Sequence, residues 1–186
     1  MKPKILLLGE YHDSVENHKN QASEVLNFKP EVCFMEMYTY PNDSWKCKNF
    51  SERSLKDLRR DWEWSFGDFD AYLPLIKAVR EVKAEVRPLT PQKINVEKDP
   101  IGNRAMKEII CRYSGGYSKI AVIVGILHLT GEKDEKGVGL VRLLEDDFAA
   151  VLPEYLKEHL RDYNRPCRLN YTAPRGRKQI LLDYLY

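Results

Sequence analysis

Glu10, His12, Glu36 and His128 combine imidazole with carboxylate, the side-chain types that move protons in hydrolysis or hold a catalytic metal ion. Glu10 and His12 stand two apart in Gly9-Glu10-Tyr11-His12, so on extended backbone both side chains leave the same face. Gly9 lets another group approach the backbone closely there. The GxxH spacing recurs at Gly125-Ile126-Leu127-His128, and Glu36 interrupts the apolar run Phe34-Met35-Glu36-Met37. Two mechanisms suit such a set. In one, Glu10, His12, Glu36 and His128 ligate a divalent ion (Mn, Zn or Fe) whose bound water ionises near neutral pH. In the other no metal takes part, and Glu10 or Glu36 orients a histidine that acts as general base.

These residues can cooperate only if the fold brings them together. Lys4 to Leu8 is an apolar run ending at Gly9 and reads as a buried strand, as do Glu31 to Met37 and Lys119 to Leu127. Between them the pattern predicts a helix from Val15 to about Asn27, capped by Asp13 or Ser14, and a loop over Tyr38 to Asn49. Further helices are expected from Ser51 to about Trp62 and from Asp68 or Asp70 to Lys83, with Pro74 in the first turn of the latter. A short strand follows at Glu85 to Leu89. Asp99-Pro100 reads as the start of a helix running over Ile101 to Tyr113, and Gly139 to Glu145 as another helix. Strands alternating with helices predict an α/β fold, a mainly parallel sheet flanked by helices on both faces. Near the C-terminus, Leu152 to Tyr163 reads as helical. Arg168 to Thr172 and Lys178 to Tyr186 suggest an antiparallel hairpin at the sheet edge. Ligands of such sheets bind outside the carboxyl ends of the strands, where Glu10, His12, Glu36 and His128 all fall.

The 186 residues suit a single domain, and 43% hydrophobic with 31% charged residues suffices for a globular core. The net charge is +2 with basic and acidic residues interspersed, which argues against a nucleic-acid or acidic-membrane partner. A small-molecule or peptide substrate is expected. The apolar run around Ile5 to Leu8 is too short for a signal peptide, and no segment approaches the roughly 20 apolar residues of a membrane span. A cytoplasmic location is expected. Cys33, Cys47, Cys111 and Cys167 form no CxxC pair and read as reduced thiols. The aromatic group Trp62, Trp64, Phe66, Phe69 and Tyr72 is either core or a wall over the crevice, with Tyr38, Tyr40 and Trp45 facing the same end.

Gly9-Glu10-Tyr11-His12-Asp13, with His18 and Gln21 following, resembles the opening GExHD…H…Q motif of ChaN-like proteins, which are related to erythromycin esterases and to TraB/PrgY/TIKI proteins. Gly102-Asn103-Arg104-Ala105-Met106 is similar to the RNxxM region of the TraB branch. His128-Leu129-Thr130-Gly131 followed by Gly137-Val138-Gly139-Leu140 is similar to its GxxHxxG segment. The resemblance spans about residues 4–146 and leaves 147–186 as a C-terminal extension. It implies an α/β fold and a shared site of two histidines, acidic residues and an arginine, in members described as metalloproteases, esterases or haem-binding proteins. By position His12 and His128 would be ligands or base, and Glu10 and Glu36 their acidic partners. Arg104 would stabilise an oxyanion or anchor an anionic substrate, its other reading being a solvated helix residue. His18 would support the site from the first helix or lie on the surface. The expectation is a hydrolase of ester or amide bonds. The alternative is a haem or small-ligand binding protein with Tyr11 or a histidine as axial ligand.

Overall fold

The computed structural model describes residues 2–12, 14–36, 50, 54–61, 69–89, 102–131, 138–154 and 156–157, with the backbone alone at 60 and 61. Its strands are β1 (Lys4–Glu10), β2 (Val32–Met35), β3 (Glu85–Pro88), β4 (Lys119–Gly125) and β5 (Ala149–Val151). They form one sheet in the order β3-β2-β4-β1-β5, and every pairing is parallel. Helices α1 (Val15–Phe28), α2 (Leu55–Asp61), α3 (Phe69–Glu81), α4 (Asn103–Tyr113), α5 (Ile126–Thr130) and α6 (Leu140–Leu144) connect them. No helix among the described residues is long and apolar enough to cross a membrane.

The central strands are continuous apolar runs because both faces of the sheet are covered. Leu6, Leu8, Cys33, Met35, Ala121 and Ile123 pack on one side with Val25 of α1 and with Tyr72, Leu75, Ile76 and Val79 of α3. Ile5, Leu7, Phe34, Val122 and Val124 pack on the other with Met106 and Ile110 of α4 and with Leu140 and Leu144 of α6. The α/β fold with helices on both faces is therefore present as expected.

Several boundaries differ from expectation. The strand expected to run to Leu127 ends at Gly125, where α5 begins; a short apolar stretch suits either period, and the GxxH residues here are helical. Helix α3 starts at Phe69, so Pro74 lies inside it rather than in its first turn and withholds one in-helix hydrogen bond. Helix α4 begins after Gly102, which supplies no side-chain cap, and Asp99-Pro100 lies outside the described residues. At α1 the expected Ser14 cap is present, its side chain accepting from the Asn17 amide at 3.2 Å.

The fifth strand was not foreseen, since all of its residues are exposed and carry no alternating pattern. It pairs beside β1, and Phe148 and Leu156 add to the core, so the chain just beyond residue 146 belongs to the sheet. The expected hairpin over 168–186 lies outside the described residues, as do Tyr38, Tyr40, Trp45, Trp62, Trp64, Phe66, Cys47 and Cys167.

The strand order positions the site. The chain leaves β1 through α1 on one face to reach β2, and leaves β4 through α5 and α6 on the other face to reach β5. Since β1 and β4 are neighbours, with Glu10 beside Gly125, their exits diverge and open a crevice at that end of the sheet.

Candidate active site

A cavity of about 480 Å³ occupies this switch point, lined by Glu10, Tyr11, His12 and Ser14 from the exit of β1 and by Gly125, Ile126 and Leu127 from the exit of β4. Glu10 is the last residue of β1 and is almost wholly buried, while the His12 side chain keeps about a quarter of its surface exposed. The two meet as expected: His12 Nδ1 lies 3.3 Å from Glu10 Oε1. Nδ1 also lies 3.2 Å from the Tyr72 hydroxyl, which α3 brings from the adjacent layer. A carboxylate against Nδ1 favours the proton on that nitrogen and leaves Nε2 as the lone-pair atom. A Cβ built on Gly125 would come within 3.6 Å of His12 Nε2, so this atom sits over the β4 exit.

Helix α1 holds that loop from below. Gln21 donates to the Gly9 carbonyl at 2.9 Å, which turns its oxygen onto His18 Nδ1, also at 2.9 Å. His18 Nε2 lies 3.2 Å from the His12 carbonyl, and its ring stacks on Tyr72 with centroids 3.9 Å apart. His18 is fully buried, so of its two expected places the structure gives the supporting one and not the surface.

The second pair forms across Gly125. His128 Nε2 lies 3.2 Å from Glu36 Oε1, and the Gly125 amide donates to Glu36 Oε2 at 2.7 Å. A Cβ on Gly125 would lie 3.3 Å from that same Oε2, a tight approach, so glycine gives Glu36 room over the strand end. His128 Nδ1 is 2.7 Å from Asn103 Oδ1, a contact that the GxxH pattern does not announce.

Burial holds the Glu10 carboxyl above its usual range; His12 opposes the rise through its contact and its charge, and Glu36 adds to it. Neither Glu10 oxygen has a well-aligned hydrogen bond; the polar atom beside the carboxyl is His12 Nδ1, at 3.3 Å. A carboxyl whose folded pKa is raised binds its proton more tightly in the native state. Its contribution to stability is then complete below the ordinary pKa of 4.5 and declines as pH rises through the folded value. Glu10→Gln removes that titration. The variant is expected to unfold at higher urea than the parent at neutral pH, with a margin that widens as pH rises above 4.5. A margin independent of pH would show that Glu10 carries no such burden.

Arg104 is not brought to this group. It is exposed on α4 and makes no hydrogen bond or ion pair among the described residues, whereas its neighbour Asn103 is buried against His128. The expected role of an arginine at this site therefore passes without support, and the solvated reading fits. Tyr11 lies half exposed at the rim, where it lines the cavity. Of the aromatic group, Phe69 and Tyr72 are core residues, and Tyr72 also touches the site through its hydroxyl.

The donor chemistry of Glu10, His12, Glu36 and His128 suits a divalent ion, and the Glu10 oxygens, which have no well-aligned hydrogen bond, could accept one. As arranged, however, the four engage as two His–carboxylate pairs, and among the described residues no three His, Cys, Asp or Glu side chains converge as a ligand set.

No protein-family model matches the chain, and no match is found among curated proteins. Among solved structures it is similar to one described as "The structure of the type III effector HopBA1", with a TM-score of 0.54 and 14% identity over 80% of this chain and 75% of that one. At 14% identity this is a likeness of fold.

Proposed function

We propose that this chain is a hydrolase of ester or amide bonds in which His12 is the general base, Glu10 orients it, and the Glu36–His128 pair exchanges the second proton. The observation that carries the reading is the Glu10–His12 contact at 3.3 Å with Nε2 left over the cavity at Gly125. A water molecule between Nε2 and a bound carbonyl would lose its proton to Nε2 as its oxygen adds to the carbonyl carbon. The imidazolium so formed is stabilised by Glu10, and collapse of the tetrahedral species expels the leaving group with a proton returned from the site. Helix α1 opens at cavity-lining Ser14, so the positive end of its dipole lies beside the developing negative charge. The motif resemblance to ChaN, TraB and TIKI proteins supports the same assignment of His12, His128, Glu10 and Glu36.

The test is a panel of p-nitrophenyl esters and aminoacyl p-nitroanilides, assayed with protein treated with chelator and with protein supplied with Mn, Zn or Fe. Release above the buffer blank by the chelated protein is the expected result. Release only after metal addition would replace the histidine mechanism by a metal-bound water. Silence in both, together with a Soret band on haem titration that is lost in Tyr11→Phe, would overturn the hydrolase reading in favour of ligand binding.

A further inference from the structure

Asn103, the first residue of α4, is fully buried, and its amide is oriented without ambiguity. Nδ2 donates to the His128 carbonyl at 3.0 Å and to the Val138 carbonyl at 2.8 Å. The side-chain oxygen must then be the atom 2.7 Å from His128 Nδ1. An amide oxygen only accepts, so Nδ1 bears a proton. Nε2 faces Glu36 Oε1 at 3.2 Å, and because a bare ring nitrogen and a carboxylate are both acceptors, that contact holds a second proton, on the ring or on the carboxyl. The same side chain ties the start of α4 to α5, through His128, and to the segment entering α6, through Val138.

We infer that Asn103 is a positioning residue: it holds a proton on His128 Nδ1 and thereby sets Nε2 against Glu36, where the second pair exchanges its proton. The two histidines are then unlike in their surroundings. His12 turns Nδ1 to a carboxylate and a phenol, and His128 turns it to a neutral amide. The proton on Nδ1 stands on geometry alone, while its use in turnover rests on the proposed hydrolysis.

The test is the ¹⁵N spectrum of the histidine rings at about pH 9, above the usual imidazole range, in the parent, Asn103→Asp and Asn103→Ala. An aspartate can still accept from Nδ1 but cannot donate to the two carbonyls. A protonated His128 Nδ1 is expected in the parent and in Asn103→Asp, with the form protonated at Nε2 alone appearing in Asn103→Ala. With an ester substrate, kcat should fall by about 10–100-fold in Asn103→Ala at little-changed KM and recover in part in Asn103→Asp. A parent His128 protonated at Nε2 alone, or an unchanged Nδ1 proton in Asn103→Ala, overturns the inference. Should Asn103→Ala fail to fold, the parent and Asn103→Asp spectra decide. If the parent turns over no substrate, the hydrolase reading fails while the spectra still judge Asn103.

Discussion

His12→Ala is expected to lower the rate of ester hydrolysis by about 10²–10⁴-fold, the range that general-base catalysis contributes. The loss should fall on kcat, because the imidazole acts on water as the transition state forms and the other cavity-lining residues remain. Stability should change by no more than about 2 kcal/mol. The ring is partly exposed, and Glu10, left without its compensating contact, can relieve its buried charge by taking up a proton. Steady-state kinetics and urea unfolding on the same preparations check both halves. Loss of activity together with loss of the fold would instead mark His12 as a structural residue.

His18→Ala should behave in the opposite way, destabilising the protein by about 2–4 kcal/mol. The ring is fully buried between the His12 carbonyl, the Gln21 side-chain oxygen and the face of Tyr72. Truncation removes a buried ring donor from between these two acceptors and opens a void beneath the loop that carries His12. A surface histidine on α1 would instead change stability by within about 0.5 kcal/mol. The midpoint of urea unfolding separates the two outcomes, and a shift within the smaller range would contradict the buried network.

Much of this arrangement is legible in the residues themselves, and the exceptions have physical reasons. The apolar runs at Ile5 to Leu8 and Ile120 to Val124 mark strands covered on both faces, and a GxxH pattern at the end of each suggests a shared crevice. That these two strands are neighbours is a matter of long-range pairing, which local pattern does not carry. Burial of His18 has a local signal: His18, Gln21, Ala22 and Val25 recur at spacings of three and four and form the buried face of α1. The same rule separates Asn103 from Arg104, for Asn103, Met106 and Ile110 share one face of α4, and the next residue along is turned about 100° away. Arginine draws attention as a cation, yet helical phase assigns the contact to its amide neighbour. Tyr72 reads from sequence as either core or crevice wall, and local pattern does not decide between them, because it arrives from α3 across the layer that also holds α1 and serves both. The strand at Ala149–Val151 offers no pattern at all, being short and exposed.

The central claim is that the His12 ring itself takes the proton from water. Its most direct test is the hydrolysis of a p-nitrophenyl ester by chelator-treated His12→Gly protein, with and without added imidazole, beside the parent. The account predicts that the glycine variant loses the activity of the parent and that imidazole, entering the space left over Gly125, restores part of it. A His12→Gly variant that hydrolyses the ester at the parent rate without imidazole would contradict it.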